Sequence, residues 1–195
     1  MSVFEIPQKQ WATVMGANLS FNTVDDHPVE SVTWEEVRGG FWPIDFLIPQ
    51  TSFVGAVRAS TGLDLPSEAQ WKYAFRADSA GAYNVTSQPI DNLGWYVGNS
   101  DGSGQHSHQE VGTGMPNAWG LYDMHGNVSE ICGEWFNEAC LADSTAPQGS
   151  LDEVVLRGGS YLLPGIQCRS ANRAGLWYPI GINYAGFRVV VNLVQ

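Results

Sequence analysis

Apolar residues recur at helical spacing in the first part of the chain. Trp11, Val14 and Met15 fall on one face of residues 8–15. Gly16 follows directly and can end the segment in the left-handed backbone conformation. This spacing predicts a short amphipathic helix over residues 8–15.

Two capping boxes predict further helix starts. In each, a hydroxyl residue that can cap the helix is followed three positions later by Glu or Gln: Thr33 with Glu36, and Ser67 with Gln70. Between them, residues 51–60 carry apolar side chains one turn apart and predict another helix. The predicted helices therefore lie mostly in the first half of the chain.

The second half has a different pattern. From about residue 79 to residue 149, Gly, Asn, Ser, Asp and Pro recur every few positions with aromatic residues between them, which predicts ordered loops held by buried rings. Residues 3–6, 154–156 and 187–191 predict short strands, and pairing of the first with the last would bring the termini together. The chain is thus predicted to be a loop-rich α+β protein.

Composition narrows the function classes. The chain has 195 residues, 44% of them hydrophobic and 15% charged, and a net charge of −11, which fits one globular domain over residues 1–195. Nine Lys and Arg residues cannot form the basic face of a nucleic-acid-binding protein, and no apolar run is long enough for direct membrane insertion. Pairing among Cys132, Cys140 and Cys168 stays open because their number is odd.

Five segments, in the same order along the chain, carry a resemblance to a known family. They are HPVESVTW (27–34), LPSEAQWKYA (65–74), PNAWGLYDMHGNV (116–128), LRGGSY (156–161) and GFR (186–188). Together they resemble the formylglycine-generating-enzyme, or sulfatase-modifying-factor, family. The resemblance implies a C-type-lectin-type fold with little regular secondary structure.

Most motif residues are expected to have structural roles. Arginines in this setting are expected to bind buried carbonyl and carboxylate oxygens, and the large aromatic rings to lie in the core. The arginines are Arg157, Arg169, Arg173 and Arg188, and the rings are Trp71, Trp119 and Tyr122.

Catalysis is not expected. In the family, one enzyme oxidises a sulfatase cysteine to formylglycine. Its chemistry resembles that of copper–thiolate sites, and it uses two cysteines after the Gly-Gly-Ser-Tyr motif. Here Leu163 stands at the first of these positions and Cys168 at the second, so no copper is expected. The oxidase remains the alternative function. His106 and His108 lie in a Gly/Ser loop and are interpreted as solvated rather than metal-binding.

One non-catalytic branch of the family serves as the variable proteins of diversity-generating retroelements. This chain resembles that branch in the retained segments 157–160, 168–173 and 186–190, which leave 161–167 and 174–185 as the variable stretches. Because scrambling the adenines of an asparagine codon cannot give Gln or Trp, the resemblance implies that Gln167 and Trp177 are fixed.

The two intervening stretches predict a ligand-binding surface. They combine aromatic, aliphatic and small residues without charge or regular period, as antibody paratopes do. The predicted contact residues are Tyr161, Leu162, Leu163, Pro164, Gly165, Ile166, Ala174, Gly175, Leu176, Trp177, Tyr178, Ile180, Gly181, Ile182, Asn183, Tyr184 and Ala185. We expect the partner to be a protein or a glycan. The chain itself would act at a cell surface or after secretion, and any export signal would lie upstream of Met1.

The resemblance also implies a structural Ca²⁺ ion. Its ligands would be the side chain of Asp123, the carbonyl oxygens of Gly126 and Val128, and the carboxylate of Glu130. The alternative is a turn capped by Asp123, with Glu130 paired to an arginine.

Overall fold

A computed structural model describes residues 1–40, 48–85, 87–101, 105–137 and 152–191. Cys140 lies outside the described residues, whereas Cys132 and Cys168 are buried free thiols. The α-helices are α1 (Gln8–Met15), α2 (Trp34–Val37), α3 (Phe53–Thr61) and α4 (Glu68–Arg76). The strands are β1 (Leu63–Asp64), β2 (Ser129–Trp135), β3 (Glu153–Arg157), β4 (Ala174–Trp177), β5 (Ala185–Gly186) and β6 (Val190–Val191).

Both predicted capping boxes are present. The Thr33 hydroxyl accepts a hydrogen bond from the Glu36 amide at 3.3 Å, and the Ser67 hydroxyl accepts one from the Gln70 amide at 3.0 Å. In each box the Glu or Gln side chain accepts from the amide of the capping residue. The starts of helices α2 and α4 are therefore specified by local sequence.

The central sheet has the strand order β4-β3-β2-β5. Strands β2 and β3 pair antiparallel, as do β3 and β4, whereas β2 and β5 pair parallel. Strand β2 was not predicted, because Glu130 and Glu134 interrupt its apolar pattern. Glu130 is nevertheless fully buried, since Arg188 neutralises it from across the fold.

The two termini meet, although not as a regular strand pair. The Ser2 amide donates to the Val189 carbonyl at 2.7 Å, and the Ile6 amide donates to the Phe187 carbonyl at 2.9 Å. Residues 3–6 form no regular strand, and the regular pairing of the chain's end is between β6 and β1. No helix in the described part of the chain has the length and apolar character needed to cross a membrane.

The predicted arginine roles are confirmed for Arg157, Arg173 and Arg188, whereas Arg169 is exposed and bonds an exposed carbonyl. Arg157 donates to the Ser170 carbonyl at 2.6 Å, and Arg169 donates to the Ile166 carbonyl at 2.6 Å. Arg173 and Arg188 each make a two-pronged contact with a glutamate: Glu68 for Arg173 and Glu130 for Arg188.

The ring predictions are only partly correct. Trp71 is fully buried, but Tyr122 is half-buried and Trp119 is 41% exposed. Trp119 lies edge-on to the exposed Tyr73, with ring centroids 4.8 Å apart, and its indole N–H donates to Asp78. The indole thus packs on the outer side of α4 and Trp119 is not a core residue.

Glu134 gives the domain a pH-dependent stability. Its carboxylate accepts a hydrogen bond from the Glu68 amide at 2.7 Å, and burial raises its pKa to about 7. A raised carboxyl pKa means that the folded state holds the proton more tightly than the unfolded state. Stability is then lost as pH rises through the pKa of the folded state.

We therefore expect the Glu134→Gln variant to lose less stability than the wild type between pH 5 and pH 7.5, by about 1 kcal/mol. Urea unfolding at the two pH values measures this difference. Glu35→Gln, at an exposed position on α2, should keep the wild-type dependence. Equal pH dependence in the Glu134 variant and the wild type would show that Glu134 does not titrate in this range.

Candidate binding surface

Tyr161 anchors the first predicted segment, residues 161–167, inside the fold. Its side chain is 1% exposed, and its hydroxyl donates to the Asn183 carbonyl at 3.2 Å. Its amide donates to the Asn127 carbonyl, and its carbonyl accepts from the Ser100 hydroxyl. Because Asn183 belongs to the second segment, Tyr161 joins the bases of both segments.

Beyond Tyr161 the first segment turns outward. Leu162 and Ile166 are 37% and 60% exposed. The backbone between them is fixed, since the Leu163 carbonyl accepts from the Val97 amide and the Gly165 carbonyl accepts from the Tyr83 hydroxyl, both at 3.1 Å. The segment therefore presents apolar side chains from a backbone held by hydrogen bonds.

The second segment, residues 174–185, begins as the edge strand β4. Leu176 points into the core, whereas its neighbour Trp177 is 54% exposed. Tyr178 is half-buried and packs edge-on against Trp135, with ring centroids 5.5 Å apart. The strand thus alternates core and solvent positions and leaves the Trp177 indole on the surface.

The loop after β4 lies against the turn at Ser31. The Ser31 amide donates to the Ile182 carbonyl at 3.0 Å, and the Tyr184 carbonyl accepts from the Ser129 amide at 2.8 Å. A Cβ atom on Gly181 would lie 2.2 Å from the Ser31 carbonyl oxygen. Position 181 therefore has no room for a side chain unless the backbone shifts, although Ile180 beside it is 41% exposed.

The structure corrects three of the predicted contact residues. Tyr161, Leu176 and Ala185 are buried, because each fills the interior beneath its segment, and they cannot touch a partner. The exposed positions are Leu162, Pro164, Ile166, Ala174, Trp177, Ile180 and Gly181, and the partly exposed ones are Leu163, Gly165, Gly175, Tyr178, Ile182, Asn183 and Tyr184. We call the exposed positions other than Gly181 the loop surface.

The residues at the two positions that the resemblance assigns to the copper-binding cysteines are Leu163 and Cys168. Leu163 occupies the position of the family's first cysteine. Burial raises the pKa of the Cys168 thiol to about 12, so this group stays protonated at neutral pH.

The contacts in the predicted calcium loop match the alternative to a calcium site, in which Asp123 caps a turn and Glu130 pairs with an arginine. The Glu130 carboxylate accepts from Arg188 at 2.7 and 2.8 Å and from the Trp71 indole at 2.7 Å. Asp123 accepts from the Gly112 amide at 2.6 Å, and its second oxygen, Oδ1, has no hydrogen-bond partner among the described residues. Within those residues no three His, Cys, Asp or Glu side chains group as a metal site, and calcium binding stays a prediction.

The environment of His108 differs from the sequence interpretation. His106 is exposed as predicted, but His108 is fully buried and packs edge-on against Tyr161, with ring centroids 5.8 Å apart. Its Nδ1 atom lies 2.9 Å from Nδ1 of His27. The sequence carries no signal for this pair, because the two histidines are 81 positions apart in unrelated segments.

Solved structures confirm the fold. Treponema denticola variable protein 1 aligns with a TM-score of 0.71 and 24% identity, over 95% of this chain and 81% of its own. PvdO from Pseudomonas aeruginosa aligns with a TM-score of 0.75 and 24% identity, over 96% of this chain and 78% of its own. The chain therefore has the loop-rich α+β fold of the C-type-lectin type that the resemblance implied.

Sequence relatives carry several different names. The Streptomyces coelicolor formylglycine-generating enzyme is 28% identical over 81% of this chain, which spans about half (49%) of that enzyme's length. The Paenibacillus barcinonensis chaperone protein LppX is 25% identical over 90% of this chain and 71% of its own. The serine/threonine-protein kinase pkn1 of Chlamydia caviae is 32% identical over 75% of this chain, which spans 21% of that kinase.

A family model supplies the classification. The sulfatase-modifying factor enzyme 1-like domain matches residues 3–193, nearly the whole chain. The match includes every motif on which the resemblance rested, and both predicted variable stretches lie within it. The chain belongs to the sulfatase-modifying factor, or formylglycine-generating-enzyme, family.

Proposed function

We propose that this protein is a non-catalytic, ligand-binding variable protein of a diversity-generating retroelement, and that the loop surface contacts its partner. The observation that carries the proposal is the outward orientation of Leu162, Ile166, Trp177 and Ile180 above a buried frame. Exposed apolar side chains grouped on two ordered loops are typical of interfaces. The partner is a protein or a glycan, met at a cell surface or in secreted form.

The way the loops are held supports sequence variation at the surface. The bonds at Leu163, Gly165, Ile182 and Tyr184 are all made by backbone carbonyls. A carbonyl oxygen is present whatever the side chain, so substitutions at Leu163, Ile182 and Tyr184 do not remove the acceptor. The loop backbone can therefore keep its course while the exposed side chains change.

The similarity to Treponema denticola variable protein 1 supports the same proposal at the level of the fold. The direct test is the gene's surroundings. We expect a near-identical second copy of the coding sequence for residues 161–185, differing only at adenines, with a reverse transcriptase gene nearby. A gene without such a copy contradicts the retroelement part of the proposal.

Trp177 should be an energetic centre of the binding surface. A rigid, exposed indole supplies a large contact area at little conformational cost, and removing such an anchor from an interface commonly costs about 2 kcal/mol. We expect Trp177→Ala to weaken the binding of a protein or glycan partner selected with the wild-type domain by about 30-fold. Biolayer interferometry measures the change.

Trp119→Ala is the matched control, because Trp119 is also partly exposed but packs on the outer side of α4. It should bind as the wild type does. Equal losses in the two variants would mean that the loop surface has no special role.

The absence of oxidase activity is part of the proposal and has its own test. The protein is incubated with a copper salt and a sulfatase-type cysteine peptide, and the peptide mass is measured. We expect no aldehyde product, since Leu163 provides no thiolate and leaves Cys168 without its partner thiol. Formation of formylglycine would overturn the non-catalytic assignment.

A further inference from the structure

The His27 and His108 side chains form a close pair at the edge of the fold. Their Nδ1 atoms are 2.9 Å apart, and their rings lie edge-to-face with centroids separated by 5.0 Å. His108 is fully buried, whereas His27 is half-buried. A contact of this length between two ring nitrogens requires one proton between them, so the pair presents two converging lone pairs to anything that replaces that proton.

A buried carboxylate lies close to the inner histidine without a hydrogen bond to it. Nε2 of His108 lies 3.6 Å from Oε1 of Glu30, and neither side chain is exposed. Glu30 is itself held in place, since it accepts hydrogen bonds from the Asn22 amide at 2.9 Å and the Ser31 hydroxyl at 2.6 Å. A carboxylate facing Nε2 favours the tautomer with its proton on Nε2, which leaves Nδ1 free to act as a ligand.

We propose that Nδ1 of His27 and Nδ1 of His108 bind a divalent transition-metal ion such as Zn²⁺, with water completing the coordination. Zinc–imidazole bonds of about 2.0–2.1 Å place two ligand nitrogens about 3.0–3.4 Å apart. The observed separation of 2.9 Å is shorter by only a few tenths of an ångström. The half-buried His27 ring can supply that movement.

The surrounding charges favour a cation. The negative charges of Asp26 and Glu110 favour positive charge at His27. Asp25 has the same effect on Lys9, which forms an ion pair with Asp26. The proposed site is independent of the proposed function.

Calorimetric titration of the untagged protein with ZnCl₂ at pH 7.5 tests the site. We expect one Zn²⁺ per chain, with binding weakened at least about tenfold in His27→Gln, whose position is half-buried. Glu30→Gln removes the negative charge that faces Nε2 of His108 and should weaken binding by about tenfold. His106→Gln, an exposed histidine two positions from His108, should bind as the wild type does.

Wild-type protein that does not bind Zn²⁺, His27→Gln protein that binds as tightly as the wild type, or an equal loss in His106→Gln would overturn the proposal. Imidazole NMR of the wild type supplies a readout that needs no substitution. Addition of ZnCl₂ should shift the ring signals of His27 and His108 and leave those of His106 and His125 in place. Shifts confined to His106 or His125 would also overturn it.

Discussion

Replacing Arg188 with Met is expected to lower the free energy of unfolding by about 3–5 kcal/mol. The guanidinium is fully buried and holds the Glu130 carboxylate through two hydrogen bonds. It also donates to the Tyr122 carbonyl at 2.8 Å. Methionine can fill much of the same volume, but it leaves Glu130 as an uncompensated buried charge. Urea unfolding measures the loss.

The pH dependence of this loss separates charge from packing. Glu5 and Asp123 lie near Arg188, and burial raises the pKa of both carboxyls, that of Asp123 to about 6. Without Arg188, the three crowded carboxylates can relieve their repulsion only by taking up protons. The difference in stability between Arg188→Met and the wild type should therefore be smaller at pH 5 than at pH 8.

Arg169→Met is the control, since Arg169 is exposed and its guanidinium donates to the Ile166 carbonyl near the surface. Its cost should be below about 1 kcal/mol. A loss for Arg188→Met that is the same at both pH values would show that the defect is one of packing alone.

Replacing Tyr161 with Ala is expected to destabilise the domain by about 3–5 kcal/mol, the usual cost of removing a large buried ring. The ring lies under both segments of the loop surface and packs against His108. Its loss opens a cavity and frees the Asn183 carbonyl from its hydrogen bond. Differential scanning calorimetry and urea unfolding should both report the change.

Two variants locate the source of that cost. Tyr161→Phe keeps the ring and removes only the hydroxyl, and it should cost about 1 kcal/mol. Leu162→Ala changes the exposed neighbour and should leave stability within about 1 kcal/mol of the wild type. If Tyr161→Ala were as stable as the wild type, Tyr161 would be a surface residue, as the sequence alone suggested.

Local sequence determined the helices, because the information they need lies within a few residues. The hydroxyls of Thr33 and Ser67 cap their helices through neighbours three positions away. Gly16 ends α1 with a φ of 79°, a conformation that favours glycine. The order of the five motifs likewise determined the family and hence the fold.

Tertiary structure decided which residues of the two loops face a partner. Residues 161–167 and 174–185 have no regular apolar period, so nothing local distinguishes the buried Tyr161 and Leu176 from the exposed Ile166 and Trp177. Their orientations are set by bonds to distant segments, such as that from the Ser31 amide to the Ile182 carbonyl.

Strand β2 and the histidine pair depended on tertiary structure for the same reason. Glu130 can lie in a buried strand only because Arg188, 58 positions away, neutralises it. His108 is buried against His27, Glu30 and Tyr161, which reach it from other parts of the chain. The sequence thus determined the helices and the family, whereas strand β2, burial, charge pairing and surface orientation were decided by contacts that exist only in the folded chain.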